Sequence, residues 1–327
     1  MKGVVYLGDS QVEVRDFPQP EPGPGQVLIQ SKVAGLCGSD LHKYHSSRTW
    51  ANERNGMISG HEPTGIVAAV GANVTNHKVG DRVIAHVIHG GMAEKVVCPA
   101  TLAFPLPDGV EFDAAAAMGL AYLTGYFALT RRGAMQVGEV VMINGASGGV
   151  GLASISLAKA LGAKVVLAGL TTPSKGDAVK AAGADAIIDL TVDDLKDNLR
   201  GQVMVATGGR GVDLAFDLVG GDVFDATLRA IANEGRVVVS GFTSGTIPSV
   251  RTNYLLLKNI SVVGSTINYY IKDASPLIGE AQAALYELLL AGKIGPNIMN
   301  RLPFDQYMDG IKMLEERKIV GKSVLVM

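Results

Sequence analysis

Two rhythms of apolar and polar positions divide the chain. Through residues 1–117, short runs rich in β-branched residues recur at Lys2 to Leu7, Val12 to Asp16, Gln26 to Val33, Gly65 to Val70, Arg82 to Val87 and Ala93 to Val97. Short runs of this kind, bounded by turn-forming residues, predict strands. The densest punctuation, Pro18-Gln19-Pro20-Glu21-Pro22-Gly23-Pro24-Gly25, excludes a helix at that point, because proline has no amide to donate and its ring clashes with the preceding turn. From residue 118 to 265 the rhythm changes. Near-continuous apolar runs at Val140 to Asn144, Val165 to Gly169, Ala186 to Leu190, Leu214 to Val219, Val237 to Gly241 and Ile260 to Gly264 alternate with helical patterns such as Leu152 to Leu161, Asp177 to Ala182 and Phe224 to Ala232. Strands apolar on both faces and joined by helices imply an α/β fold with a doubly wound parallel sheet covered on both sides. The tail, 266–327, carries helical patterns at Glu280 to Ala291 and Phe304 to Lys318 and a last strand at Ser323 to Val326. It is too short for a domain of its own and is expected to pack on the N-terminal β region. That gives two domains, 1–117 with 266–327, and 118–265.

The turn after the first strand of the second rhythm is Gly145-Ala146-Ser147-Gly148-Gly149-Val150-Gly151. Glycines between a strand and a helix let the backbone approach a pyrophosphate, and the free amides that open the helix face its charge. The spacing fits Ala146-x-Gly148-x-x-Gly151 and equally Gly145-x-x-Gly148-x-x-Gly151, so Ser147, Gly148, Gly149 and Val150 are candidate dinucleotide contacts. An acidic residue about 20 positions further on commonly binds the ribose of NAD. Here the second strand ends Leu170-Thr171-Thr172-Pro173-Ser174-Lys175, without a carboxylate. Hydroxyls and an ammonium suit a 2′-phosphate, so NADP(H) is favoured over NAD(H), with Thr171 and Lys175 as its contacts. The competing reading is a plain turn leading into the next helix.

Composition narrows the partners. With 29 basic and 31 acidic residues the net charge is −2, and no basic patch or charge run invites nucleic acid. No charged-then-apolar leader opens the chain and no apolar run is read as long enough for a bilayer, so the cytosol is the expected compartment and no membrane partner is expected. Two cysteines, Cys37 and Cys98, cannot build a disulfide framework or a four-cysteine zinc site. Cys98 is expected to pack as a small apolar residue.

A second constellation, Cys37-Gly38-Ser39-Asp40-Leu41-His42 followed by Gly60-His61-Glu62, holds side chains able to ligate zinc or move protons. With it, Val70-Gly71, Val79-Gly80-Asp81-Arg82-Val83, Gly138-Glu139, the glycine turn, Lys159, Asp217-Leu218-Val219-Gly220-Gly221, Gly235-Arg236-Val237 and Gly321-Lys322 stand in one order along the chain. In that order it resembles the medium-chain dehydrogenase/reductase family, which includes zinc alcohol dehydrogenases and zinc-free quinone oxidoreductases. Its N-terminal half is similar to the former and its cofactor half to the latter. The resemblance implies a mostly β GroES-like catalytic domain, a Rossmann dinucleotide-binding domain, and a homo-oligomer, with the strand Ile260 to Gly264 as the surface where copies meet.

The main expectation is an NADP(H)-dependent alcohol dehydrogenase or carbonyl reductase with one catalytic zinc on Cys37, His61 and Glu62. In it Ser39 relays a proton, His42 exchanges it with solvent, and Thr124 contacts the nicotinamide. The usual third ligand would fall near Met118-Gly119-Leu120, where no residue suits zinc, and Glu62 is its substitute. No structural zinc is expected, because Ile84 to His89 runs straight to Gly90-Gly91-Met92-Ala93-Glu94 without a cysteine lobe. His86 and His89 are expected to fill a loop. The alternative is a zinc-independent NADPH quinone or enone reductase, in which Ser39 or Tyr44 supports a developing enolate. A nucleotide-binding protein without catalysis is a further reading. Loops around Tyr44 to Trp50, Val87 and Tyr269-Tyr270 are expected to wall the substrate pocket.

Overall fold

The computed structural model describes residues 1–46 and 57–327. Two compact units emerge, one of residues 1–120, 268–286 and 296–327, the other of residues 121–267 and 287–295. Residues 287–295, which the sequence pattern leaves with the first domain, therefore group with the second.

In the first unit the β-branched runs form strands β1 (Lys2–Gly8), β2 (Gln11–Asp16), β3 (Gln26–Gly35), β4 (Pro63–Val70), β5 (Arg82–Ala85) and β6 (Lys95–Pro99), and a short strand β7 (Ala103–Pro105) follows. Strand β3 is the trunk of the sheet. It pairs antiparallel with β4 along one edge, while on the other β6 takes only Gln26 to Gln30 and leaves the end of β3 open to another strand. Val27, Ile29, Val67, Val83, Val96 and Cys98 meet in the core between these strands, Cys98 as a small apolar residue.

Helix α1 (Gly38–His45) begins where β3 ends, and α2 (Phe112–Tyr126) closes this part of the chain. Ser39, His42 and Tyr44 all stand on α1. The helix forms because Asp40 turns back on its own N-terminus: its Oδ2 accepts the Cys37 amide at 3.0 Å, satisfying a donor that has no helical partner. His42, Lys43 and His45 occupy the last turn, where the helix dipole favours positive charge. Contrary to the sequence reading, the stretch Phe112–Arg132 is long and apolar enough by composition to cross a bilayer, but 67% of its apolar window is buried within the protein. Burial on that scale marks a core helix. Gly119 interrupts it with non-helical geometry (φ −5°, ψ −112°).

In the second unit β8 (Val140–Asn144), β9 (Val165–Leu170), β10 (Ala186–Asp189), β11 (Val212–Asp217), β12 (Ile231–Val239) and β13 (Ser261–Gly264) alternate with α3 (Gly149–Ala160), α4 (Gly176–Ala181), α5 (Leu195–Ala206), α6 (Gly221–Ala230) and α7 (Thr252–Lys258). The sheet runs β10-β9-β8-β11-β12-β13, all parallel. Strand order therefore reverses between β8 and β11, and ligands of doubly wound sheets bind at the carboxyl ends of such strands. Val140, Met142, Leu167, Leu214, Ala215 and Val237 are buried, which is why these strands read as unbroken apolar runs.

The tail forms α8 (Ile267–Lys272), α9 (Pro276–Leu290), β14 (Ile298–Pro303), α10 (Tyr307–Glu315) and β15 (Lys322–Val326). Gly321 turns the chain into β15 at φ +76°, and a Cβ there would stand 2.4 Å from the Asn297 carbonyl oxygen, so the turn requires glycine. Strand β15 runs parallel to β14 and fills the open end of β3, with Val324 opposite Gly35 and the Leu36 amide donating to the Ser323 carbonyl at 3.0 Å. Lys322 is thereby carried to the point where β3 gives way to Cys37.

Candidate active site

The second unit carries an anion cradle. Gly145 adopts φ +75°, and its amide and that of Ala146 both donate to the Gly169 carbonyl, at 3.1 and 3.2 Å, which ties the turn to the end of β9. A Cβ on Gly151 would fall 2.4 Å from the Gly145 oxygen, so α3 packs on the turn as closely as backbone allows. A Cβ on Gly148 would meet nothing nearer than 3.7 Å, and Gly148 is exposed at the N-cap of the helix. The turn is thus packed tightly beneath and open above. The amides of Gly149, Val150 and Gly151, in the first turn of α3, lie among those without an intrahelical carbonyl and suit a pyrophosphate. Ser147 is half-buried beside them.

A buried polar network, not apparent in the sequence, props this turn. Asn144, the last residue of β8, donates through Nδ2 to Asp217 Oδ1 at 3.2 Å and to Thr227 Oγ1 at 2.9 Å. Asp217 also accepts the amides of Val219 and Gly220. One side-chain pair thus couples the two loops at the strand-order reversal, and burial pushes the Asp217 carboxyl up. Thr171 is exposed just past β9, and Lys175 is half-buried where α4 starts, its amide donating to the Thr172 carbonyl at 3.1 Å. Here the turn reading and the phosphate reading describe the same residues. Thr124 lies on α2, partly exposed.

In the first unit, β3, α1 and β15 bring together Cys37, Asp40, His61, Glu62 and Lys322. Asp40 and Glu62 are fully buried, His61 and Lys322 nearly so, and Cys37 is half-buried. His61 Nδ1 faces Asp40 Oδ1 at 3.8 Å, within electrostatic range but beyond a hydrogen bond. Burial works against an imidazolium, but Asp40 above all, then Cys37 and Glu62, raise the His61 pKa to about 9. Burial alone would push the Cys37 thiol up; the Lys322 ammonium, followed by His61, outweighs it and holds the thiol below its usual range. Lys322 donates to the Leu36 carbonyl at 3.0 Å and forms a short ion pair with Glu62 Oε2. Against the pull of burial, Glu62 and then Cys37 hold its pKa above the ordinary lysine value.

The zinc expectation is corrected here. A catalytic zinc needs three protein donors converging on one point, and among the described residues no three His, Cys, Asp or Glu side chains do so. The physical reason is Glu62, the intended third ligand, which is turned onto Lys322. Ser39 and His42 are exposed on α1, apart from this buried cluster. Tyr44 packs edge-on against Tyr6 with ring centroids 6.3 Å apart, and so belongs to the core under α1. His86 lies in the loop just past β5, where it is fully buried and donates through Nε2 to Gln282 Oε1 at 2.9 Å, and burial pushes its pKa down to about 4. Of the stretch Tyr44 to Trp50, residues 47–50 lie outside the described residues.

Comparison with known proteins agrees with this layout. Residues 23–108 match the alcohol dehydrogenase GroES-like domain and residues 149–282 the zinc-binding dehydrogenase domain. A quinone oxidoreductase-like protein 2 homolog from Nematostella vectensis is 36% identical over 98% of this chain and 86% of its own length. The chain belongs to the medium-chain dehydrogenase/reductase family. It is an oxidoreductase with a GroES-like N-terminal region and a Rossmann sheet. The quinone oxidoreductase of Pseudomonas aeruginosa is 31% identical over 98% of this chain and 97% of its own length. The Escherichia coli quinone oxidoreductase, solved in complex with NADPH, superposes with a TM-score of 0.88 over the whole of both chains at 27% identity. These likenesses side with the zinc-independent alternative over the zinc alcohol dehydrogenase.

Proposed function

We propose that the protein is an NADPH-dependent, zinc-independent reductase of quinones or of enones, compounds in which a carbonyl is conjugated with a double bond. The observation that carries this reading is the pairing of Glu62 with Lys322, which takes Glu62 away from Cys37 and His61 as a third metal ligand. It is supported by the likeness to quinone oxidoreductases, one of them complexed with NADPH.

The glycine turn fits a dinucleotide, being open over Gly148 and backed by a helix of 12 residues. Gly149 and Val150 would hold the pyrophosphate through their amides, with the open backbone of Gly148 giving it room and Ser147 beside them. Thr171 and Lys175 would take the 2′-phosphate, and Thr124 the nicotinamide. NADPH, when bound, supplies the hydride. Conjugation lets hydride add to a carbon remote from the oxygen, so the charge to be neutralised develops on that oxygen. His61 has the means to do so: Asp40 and its other acidic neighbours favour the imidazolium, and its Nε2 has no hydrogen-bond partner among the described residues. Cys37 shares its proton with that ring, and Ser39 and His42, exposed on α1, exchange protons with water.

The test is NADPH consumption with a simple quinone, a conjugated enone and a saturated ketone. The proposal expects turnover of the first two and little of the third; the reverse order overturns it. Self-association belongs to the same reading. Strand β13 has a partner on one side only among the described residues, and its neighbour α7 exposes Leu256 and Leu257. We infer a homo-oligomer that pairs copies along this edge, with a monomer by light scattering as the contrary result.

A further inference from the structure

Asn144 is a polar residue at the end of an apolar strand, and the proposed reaction gives it no task. It is fully buried, as are Asp217 and Thr227. Its neighbours fix how its amide points. The Thr227 hydroxyl donates its own proton to the Val223 carbonyl at 2.7 Å, so towards Asn144 it can only accept, and Asp217 accepts as well. Both Nδ2 hydrogens are thereby used, and Oδ1 is left buried with no hydrogen-bond partner among the described residues. That oxygen lies over Gly169, where a Cβ would stand 2.6 Å from it. One side chain thus reaches the ends of β8, β9 and β11 and the flank of α6.

These strand ends carry the loops of the coenzyme site. The Gly169 carbonyl holds the amides of Gly145 and Ala146, and the Asp217 carboxylate those of Val219 and Gly220. The two loops also touch, since a Cβ on Gly145 would meet Val219 Cγ2 at 3.3 Å and Leu218 Cβ at 3.4 Å. The Leu218 and Val219 carbonyls in turn accept the amides of Thr243 and Ser244, beyond β12, at 3.1 and 3.0 Å. An apolar side chain at position 144 would leave no unpaired oxygen, and a half-satisfied buried network is worse for stability than an apolar core. Stability alone does not account for the residue.

We propose that Asn144 is a positioning residue for hydride transfer: bonded to Asp217 and Thr227 and seated on Gly169, it sets the spacing between the pyrophosphate turn and the 218–221 loop, and through them the placing of the nicotinamide. Being fully buried, it does this without touching the coenzyme. Misplacing a reacting group by about 1 Å costs up to about 100-fold in rate, while coenzyme affinity is spread over many contacts. The inference rests on the reading of the protein as an NADPH-dependent reductase, but its first readout needs no turnover.

The experiment compares the native chain with Asn144→Ala, Thr227→Val, Asn144→Asp and the double variant N144D/D217N, each at a temperature where circular dichroism shows it folded. NADPH affinity and the fluorescence of the bound nicotinamide are measured without substrate; the rate of NADPH oxidation by a quinone is then measured at saturating coenzyme. Asn144→Ala is expected to weaken NADPH only a few-fold, to change the emission of the bound ring, and to lower the saturated rate by about tenfold or more. Asn144→Asp sets two carboxylates against each other and should do worse, and N144D/D217N, which restores one carboxylate and one amide, should recover most of that loss. Thr227→Val leaves Asn144 its bond to Asp217 and should lower the rate by less, so the test survives if the Asn144 variants fail to fold. A folded Asn144→Ala with native emission and native saturated rate overturns the inference, as does one whose whole loss lies in NADPH affinity. A double variant no better than Asn144→Asp also overturns it, and so does a native Thr227→Val where the Asn144 variants do not fold. If the native chain reduces no quinone or enone, the functional reading fails and the emission of bound NADPH still decides this inference. Native emission with unimpaired quinone reduction in the variants sinks this inference alone.

Discussion

Removing either partner of the Glu62–Lys322 pair should cost far more stability than removing both. The side chains are 0% and 7% exposed, so neither charge can fall back on water when its partner goes. Breaking a buried pair from one side typically costs about 3–5 kcal/mol, whereas apolar replacement of both ends is often near neutral. In Lys322→Met, Glu62 loses its partner at Oε2 and already has none at Oε1 among the described residues. In Glu62→Leu, the ammonium keeps the Leu36 carbonyl alone among its described hydrogen bonds. Each single variant should therefore lose about 3–5 kcal/mol and the double variant about 1–2, a coupling of about 3 kcal/mol or more. The folded-state pKa of Lys322 lies above its ordinary value of 10.5, so its contribution is complete at neutral pH and fades only as pH rises beyond that value. Guanidinium unfolding at neutral pH, compared at equal slope, measures the cycle. Single losses under about 1 kcal/mol that simply add would show the pair to be solvated, as surface pairs are, and would refute the reasoning.

Three other outcomes follow from the same geometry. Gly151→Val should drive a Cβ to 2.4 Å from the Gly145 oxygen and displace the first turn of α3; an overpacking cost of about 1–3 kcal/mol converts to roughly 5- to 150-fold weaker NADPH binding by calorimetry, and unchanged affinity would contradict it. Lys175→Ala should weaken NADPH by about tenfold or more and leave NADH unaffected, since the loss of a charge-assisted bond touches only the phosphate-bearing coenzyme; an equal loss for both would remove Lys175 from the phosphate site. His61 is raised from 6.5 to about 9, so the stability it lends is complete below pH 6.5 and disappears as pH rises to about 9, by up to roughly 3 kcal/mol. Cys37, held low, drifts the opposite way. The His61 share is therefore read as the difference between the native chain and His61→Gln in urea unfolding, and a difference flat across that range counts against a charged His61.

The Rossmann sheet was legible because its strands are apolar on both faces, and a run such as Val140 to Asn144 has few other homes. The glycine turn was legible for a related reason: glycines at 145, 148 and 151 between a strand and a helix have a backbone cause that can be stated in advance. Helix α1 was not. Its eight residues are mostly polar, and what starts it is one local bond from Asp40 to the Cys37 amide. Lys322 escaped for a different reason. It sits 260 positions from Glu62, and only the pairing of β15 with β3 makes them neighbours. The zinc expectation failed on that long-range contact, since spacing around Cys37, His61 and Glu62 says which ligands exist and nothing about what else reaches them. Asn144 and Asp217 show the same limit: two polar residues ending apolar strands become a bond between loops only once β8 and β11 lie side by side.

The most direct measurement is the rate of NADPH oxidation by a quinone in protein dialysed against a strong chelator and assayed with chelator present. A rate equal to that of untreated protein is the predicted result. A rate abolished by the chelator and restored by zinc would contradict the account at its centre.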